Sequence, residues 1–177
     1  NPEIIKLIVD HGGRDQLSTP DKSGQLPLHL AARSNVLEVF QLVLDLTPPE
    51  LVSADAKDGK KPLHHACQAN SIGIVRALMD RGNDDLTAKS KLKMLPIHYA
   101  VRYNQHEEVV KFLLEEADSS QLVEECNHRV AVHMAAHNKN AAIVQLVIDA
   151  SAPELLQRKD AGGCLPVHLA ALKNTSV

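Results

Sequence analysis

The hydrophobic residues of this chain recur in short blocks with the spacing of an α-helix. In residues 37–46, Val39, Leu42, Val43 and Leu46 lie at positions i, i+3, i+4 and i+7, which places them on one side of a helix. Similar segments predict further helices at residues 72–81, 107–116 and 141–150. None of these helices could bury its apolar stripe alone, so the pattern favours a stack of helices.

A seven-residue motif precedes the predicted helices and occurs five times. The copies align without gaps at residues 26–32, 61–67, 95–101, 130–136 and 165–171. Their shared histidines, which lie 35, 34, 35 and 35 residues apart, are His29, His64, His98, His133 and His168. A fixed period of this size is the signature of a tandem repeat.

Each repeat unit reads as two helices. A proline at the second motif position suits the first turn of a helix, where its missing N–H is not needed. Asparagine tolerates the left-handed conformation that ends many helices. It occupies the sixth position after the motif histidine in all units but the fourth, which has Lys139: Asn35, Asn70, Asn104 and Asn174. We therefore predict that the first helix of each unit ends there.

The composition agrees with thin stacked layers. Hydrophobic residues make up 44% of the chain and charged residues 23%, with a net charge of −3, which disfavours a disordered chain and a strongly basic nucleic-acid binder. There is no Trp, and the aromatic residues are only Phe40, Tyr99, Tyr103 and Phe112. A single large core usually relies on aromatic bulk, so several small layers are favoured.

The cysteines and the apolar runs indicate the environment. Cys67, Cys126 and Cys164 are odd in number and widely spaced, so a disulfide framework is disfavoured. This favours a reducing, intracellular location, cytoplasmic or nuclear. No apolar run approaches the roughly 20 residues that a membrane-spanning helix requires, so we expect no membrane insertion of this segment.

These motifs resemble the ankyrin repeat family, whose unit carries D-x-x-G-x-T-P-L-H-x-A-A before a second helix; Asp21-Lys22-Ser23-Gly24 is a further match. The resemblance implies an all-α solenoid of stacked helix–turn–helix units of 34–35 residues. We expect one array over residues 1–177, within a longer protein. It comprises the second half of a repeat at 1–20, whole repeats at 21–55, 56–89, 90–124 and 125–159, and a first half at 160–177.

The chain departs from the family pattern in two ways. The family's threonine before the proline, a helix N-cap, is replaced in every unit, by Leu26, Lys61, Leu95, Val130 and Leu165. Losing such a cap typically costs ~1 kcal/mol. In addition, hydroxyl, Pro and Glu residues at 47–52 and 151–156, and a weaker version at 118–123, predict short helical turns where many relatives have β-hairpin tips.

Catalytic and metal sites find little support. The five motif histidines are too far apart to share one ion, and we interpret them as bonding to their own loop backbones. Cys126, His128, His133 and His137 form a weaker local metal candidate. The segment from His106 to Val110 lacks the second histidine of a zinc protease motif. The sequence therefore predicts no enzyme and no cofactor.

In the family, partners commonly contact the concave face, formed by loop tips and first helices. This face corresponds to positions −7, −6, −4, +4 and +5 from each motif histidine. These positions hold eight basic residues and one acidic residue, Asp58. Candidate partner-binding residues among them are Lys22, Arg33, Lys57, Lys60, Gln68, Lys91, Met94, Arg102, Tyr103, Arg129 and His137.

The charge pattern predicts the kind of partner. Acidic residues gather on the second helices and their exits, including Glu107, Glu108, Glu115 and Glu116. We expect a non-catalytic scaffold that binds a protein or peptide, acidic in character, on its concave face. The alternative is a regulatory or spacer segment that contacts a catalytic or membrane domain of the same larger protein. The oligomeric state is left open.

Overall fold

The computed structural model describes residues 1–82, 85–118 and 120–173 and is built from helices. Within these ranges no strand forms, and the one isolated β-bridge joins Cys126 to Arg129. The helices are α1 (Pro2–Gly12), α2 (Pro27–Arg33), α3 (Leu37–Leu46), α4 (Pro62–Ala69), α5 (Ile72–Asp80), α6 (Pro96–Tyr103), α7 (Glu108–Glu116), α8 (Ser120–Val123), α9 (Ala131–Ala135), α10 (Ala141–Asp149) and α11 (Pro166–Lys173). The predicted all-α fold is confirmed.

The helices stack in two rows. The first helices of successive units, α2, α4, α6, α9 and α11, each pack on the next, and so do the second helices, α1, α3, α5, α7 and α10. In the first four copies of the motif, the residue before the histidine is buried between the rows: Leu28, Leu63, Ile97 and Val132. Val167, at the same position of the fifth copy, is exposed. Among the described residues, the helices of each layer pack mainly on those of the adjacent layers, which is the architecture of a solenoid.

Short helical turns follow the second helices, as the sequence predicted. Pro49–Leu51 and Pro153–Gln157 are 3-10 helices that begin with proline, whose fixed φ suits a first turn. The weaker candidate at 118–123 forms α8. Arg14–Ser18 and Asp85–Thr87 are also 3-10 helices, which the sequence analysis did not predict.

The bounds predicted for the second helices agree with the structure within one residue. The apolar stripe predicted for α3 is only partly right, because its buried residues are Phe40, Val43 and Leu44, whereas Val39 and Leu42 are only partly buried. The helix contacts α1 on one side, α5 on the other and α2 beneath. Its buried face is therefore broader than one stripe.

Two of the predicted left-handed asparagines are confirmed and one is wrong. Asn35 and Asn70 have φ of 57° and 64°, whereas Asn104 is extended, with φ of −73°. At this helix end the side-chain amide of Asn138, from the next unit, donates to the carbonyls of Val101 and Asn104 at 2.6 and 2.9 Å. The neighbouring unit thus satisfies carbonyls that a left-handed turn would otherwise serve. Asn174 lies outside the described residues.

The motif histidines hold the starts of the first helices. In every unit, Nδ1 of the histidine accepts a hydrogen bond from the backbone N–H of the residue before the helix, at 3.0 to 3.4 Å. Nε2 therefore carries the proton, and in His29, His64 and His133 it donates to the carbonyls of Ala54, Ala88 and Arg158. In these three histidines both ring nitrogens are thus bonded to the backbone.

These histidine bonds also explain how the helices begin without threonine. None of the residues before α2, α4, α6 and α9 makes a side-chain cap bond. The histidine is the third residue of each helix, and its ring accepts from the N–H of the residue before the helix. This is one of the two hydrogen bonds of a capping box.

Burial lowers the pKa of His29, His64 and His133, and lowers the pKa of His98 to about 4.

None of the helices in the described ranges has both the length and the apolar character needed to cross a bilayer.

Candidate functional site

A tight loop precedes each first helix and places the tip residues of the concave face. Five residues before the motif histidine, the backbone is left-handed in every unit, at Gly24, Gly59, Lys93, His128 and Gly163. Adjacent loops are joined by backbone hydrogen bonds of 2.9 Å, from the 57 N–H to the 23 carbonyl and from the 91 N–H to the 58 carbonyl. The loops of the first three whole units thus form a continuous ladder.

The fourth loop is built differently. Cys126 and Arg129 exchange both backbone hydrogen bonds, and Asn127 and His128 between them both have positive φ, 49° and 62°. This is the geometry of a type I′ turn. Its link to the third loop is a hydrogen bond from the Cys126 thiol to the Leu92 carbonyl, at 2.9 Å. A side chain therefore replaces the backbone link of the other loops.

Several basic residues of the concave face are exposed and free of ion pairs. Lys22, Lys57 and Lys91 occupy the same position in successive loops, and all three side chains are exposed, as is Arg33. The Lys57 ammonium donates to the Lys22 carbonyl at 2.8 Å. Within the described ranges, no carboxylate lies within 4.0 Å of any of these four cations. Their charge is therefore uncompensated.

Two other predicted cations are paired. The Lys60 ammonium lies 3.3 Å from Asp58 and 5.1 Å from the centroid of the Tyr99 ring. Arg129 Nε donates to Asp160 at 2.9 Å, and the Asp160 side chain is only 4% exposed. The Cys164 backbone N–H and the Arg129 guanidinium hold the pKa of Asp160 below its ordinary value. Arg129 is thus a structural partner of the next loop.

A cavity of about 300 Å³ opens where the third, fourth and fifth loops meet α6 and α9. Arg102 and Tyr103, from the end of α6, line it together with Met134 of α9. Tyr103 is 44% exposed and stacks on Tyr99, with ring centroids 6.1 Å apart. Met94, predicted as a surface contact, is only 3% exposed and lines the cavity from beneath. We call this cavity the Arg102 pocket.

The structure separates the remaining candidates from this pocket. Gln68 is half-buried near the end of α4, in the unit before. His137 is half-buried, and its Nδ1 lies 3.0 Å from the backbone carbonyl of His133.

Sequence reasoning missed Met134 and Asp160 as parts of the site. Asp160 was visible in the sequence as the acidic residue that opens the fifth loop, whereas nothing in the sequence distinguished Met134.

The local metal candidate is not assembled. The Cys126 thiol is buried and bonded to Leu92, and both ring nitrogens of His133 are engaged by backbone groups. His128 is largely exposed. In the part of the chain that the structure describes, no three His, Cys, Asp or Glu side chains are arranged to hold a metal ion.

A second cavity, of about 380 Å³, lies between α1 and α2. Its lining includes Ile5, Ile8, Leu17 and Leu30 and contains no charged side chain. Ile8 and Leu30 are among the more exposed large hydrophobic residues. This cavity is therefore distinct in character from the charged Arg102 pocket.

Comparison with known proteins agrees with this architecture. A family model described as ankyrin repeats (3 copies) matches residues 48–122 and 97–177, which together span more than half of the chain. No curated protein gives a significant match. The two rows of helices, the histidine motif in each unit and this match have one explanation: the chain belongs to the ankyrin repeat family.

Proposed function

We propose that this array is a non-catalytic binding module that holds an acidic segment of a partner protein on its concave face. Ankyrin repeats generally mediate interactions between proteins. The observation that carries the proposal is the set of basic side chains on this face that lack an ionic partner among the described residues: Lys22, Arg33, Lys57, Lys91 and Arg102.

Acidic residues outside this face support the proposal because many are already paired. Lys111 pairs with Glu107 at 2.6 Å, and Lys89 pairs with Glu124 at 2.7 Å. Asp45 pairs with Arg81 in the next unit. These carboxylates are neutralised by bases of the second helices and their exits. The positive charge of the concave face is therefore left available to a partner, and complementary charge would raise the association rate and set the orientation.

The histidines support a non-catalytic role. General acid–base catalysis needs a histidine within reach of substrate and free to exchange a proton. His29, His64 and His133 are fully buried, with both ring nitrogens bonded to backbone groups. Their role is to hold loops and helix starts in place.

Charge reversal tests the proposal. Random dodecapeptides displayed on phage are selected on the wild-type protein, and the enriched peptides are synthesised with a fluorescent label. We expect acidic peptides, because the concave face carries the unpaired cations. Reversal to Glu at Arg33, Lys57, Lys91 and Arg102 should weaken their binding at least tenfold and flatten its dependence on salt. Fluorescence anisotropy measures both effects.

A second fourfold variant controls for total charge. Lys6, Arg14, Lys139 and Lys159 are exposed bases outside the concave positions. Their reversal to Glu changes the net charge equally and should leave peptide affinity nearly unchanged at moderate salt, because none of the four occupies a concave position. Equal losses in the two variants, or no loss in the first, would contradict binding on the concave face. Far-UV circular dichroism verifies that both variants remain helical.

A further inference from the structure

The Arg102 pocket contains two arginines with different surroundings. Arg129 is bonded to Asp160 at 2.9 Å. Arg102, by contrast, has a thioether and an aromatic ring as its partners: Nη1 lies 3.7 Å from the Met134 sulfur, and Cζ lies 5.5 Å from the centroid of the Tyr103 ring. Within the described residues no carboxylate lies within 4.0 Å of it.

This environment favours an incoming carboxylate. A guanidinium beside sulfur and an aromatic face keeps several N–H donors without a strong acceptor, and its planar fork matches a carboxylate. Arg102 is half-buried, so a bond to it would be screened less than one on a fully exposed side chain. Asp160 is already held by Arg129 and by the backbone of its own loop. No carboxylate among the described residues is therefore left to pair with Arg102, and a bound partner can supply one.

The apolar residues at the rim of the pocket indicate which kind of side chain would bind next to the carboxylate. Leu92 is 55% exposed and Tyr103 44% exposed, and both line the pocket together with the sulfur of Met134. Exposed aromatic and aliphatic groups next to an arginine are typical of the residues that contribute most to binding. The volume of about 300 Å³ is at the lower end for small-molecule sites. It is suited to one or two side chains.

We propose that the Arg102 pocket receives one acidic side chain of a bound peptide, paired with Arg102, together with a neighbouring large apolar side chain that packs on Tyr103 and Leu92. This inference rests on the proposed function and adds the place and chemistry of the recognition. It predicts that the enriched dodecapeptides contain Asp or Glu next to Leu, Ile, Met or an aromatic residue.

The test pairs a change in the protein with a change in the probe. Each enriched peptide is synthesised with Glu, and again with Gln, at the acidic position beside the apolar residue. We expect this swap to weaken binding to wild type about tenfold to a hundredfold, as for a charge-assisted hydrogen bond. In Arg102→Gln the Glu and Gln peptides should bind equally. Arg102→Lys should recover only part of the difference, because the fork is lost.

Arg14→Gln is the matched control. Arg14 is an exposed arginine outside the concave positions. The Glu-to-Gln difference should persist in this variant. If it persists unchanged in Arg102→Gln, the pocket assignment is overturned while binding on the concave face stands. If the fourfold reversal leaves binding intact, the proposed function fails, and this inference with it.

Discussion

The left-handed loop position shows how one residue type affects the stability of each unit. Glycine fills it in three units, but the third unit has Lys93 and the fourth has His128, with φ of 59° and 62°. A residue with a Cβ is strained in this region by about 1–2 kcal/mol. Glycine is visible in this loop of the sequence, but only the structure shows that the lysine and the histidine adopt the same conformation.

Lys93→Gly should stabilise the protein. Lys93 is exposed, so its side chain contributes little packing, and glycine relieves the strain of positive φ at the cost of some chain entropy. We expect a gain of about 0.5–1 kcal/mol in the free energy of unfolding. Urea denaturation monitored by circular dichroism measures it.

Gly24→Ala is the opposite case. A Cβ at Gly24 would lie 2.8 Å from the backbone nitrogen of Lys57, which donates to the adjacent loop. We expect the free energy of unfolding to fall by at least about 1 kcal/mol, because strain and a backbone clash add.

A destabilised Lys93→Gly protein would show that the lysine side chain makes a contact worth more than its strain.

At the scale of the helices, periodicity predicted where each element lies, but helix ends depended on neighbours. The second helices follow from their apolar spacing, and the first helices from proline at their first turn. Helix α6 does end at Asn104, but the left-handed conformation predicted for this residue is wrong, because the bond that replaces a left-handed cap comes from Asn138, 34 residues away. Single-segment patterns carry no information about such a partner.

Asn138→Ala tests this connection between units. The Asn138 side chain is buried, donates to the Val101 and Asn104 carbonyls, and accepts from the Asn140 N–H. Removing it leaves buried carbonyls without donors, so we expect a loss of about 2–3 kcal/mol of stability. Urea unfolding gives the value.

Lys139→Ala is the neighbouring control. Lys139 is exposed and adjacent to Asn138, and its replacement should change stability by no more than about 0.5 kcal/mol. If the two alanine variants were equally stable, the Asn138 bonds would not hold the units together.

At the scale of the whole molecule, the repeat determined the fold, whereas the site was only partly predictable. The excess of basic residues on the concave face is visible in the sequence because position within a repeat fixes orientation. The sequence does not show which of these basic residues lack an ion pair. Lys60 and Arg129 are neutralised by Asp58 and Asp160, and the Arg129 pair joins loops of adjacent units. Such pairings depend on side-chain geometry that spacing does not give.

The buried histidines predict that the array loses stability in acid. Burial lowers the pKa of His29, His64 and His133, and brings the pKa of His65 and His98 to about 4. Their stabilising contribution is complete above the unfolded-state pKa of about 6.5 and is lost as the pH falls from there toward 4. Urea midpoints should therefore be lower at about pH 5 than at about pH 7.

His65→Met isolates one of these groups. Both ring nitrogens of His65 are buried without a hydrogen bond among the described residues, and Met134 is buried at the equivalent position of the fourth unit. A protonated His65 would be repelled by His29, Lys60 and Arg33 and attracted by Asp58. We expect the variant to be more stable at about pH 7. Its free energy of unfolding should also depend less on pH, because about one proton fewer is taken up on unfolding. An unchanged pH slope would show that His65 does not titrate on unfolding.

The thiol link between the third and fourth loops affects how stability is distributed along the stacked units. A sulfhydryl is a weaker donor than a peptide N–H, and the next first helix, Ala131–Ala135, is the shortest of its row. The boundary between the third and fourth units is therefore held less firmly at its loops than at its helices, where Asn138 bonds to the third unit. The Arg102 pocket is lined by residues from both sides of that boundary. A ligand bound in this pocket would contact both the third and the fourth unit. Its binding free energy would therefore also stabilise the fourth unit against unfolding.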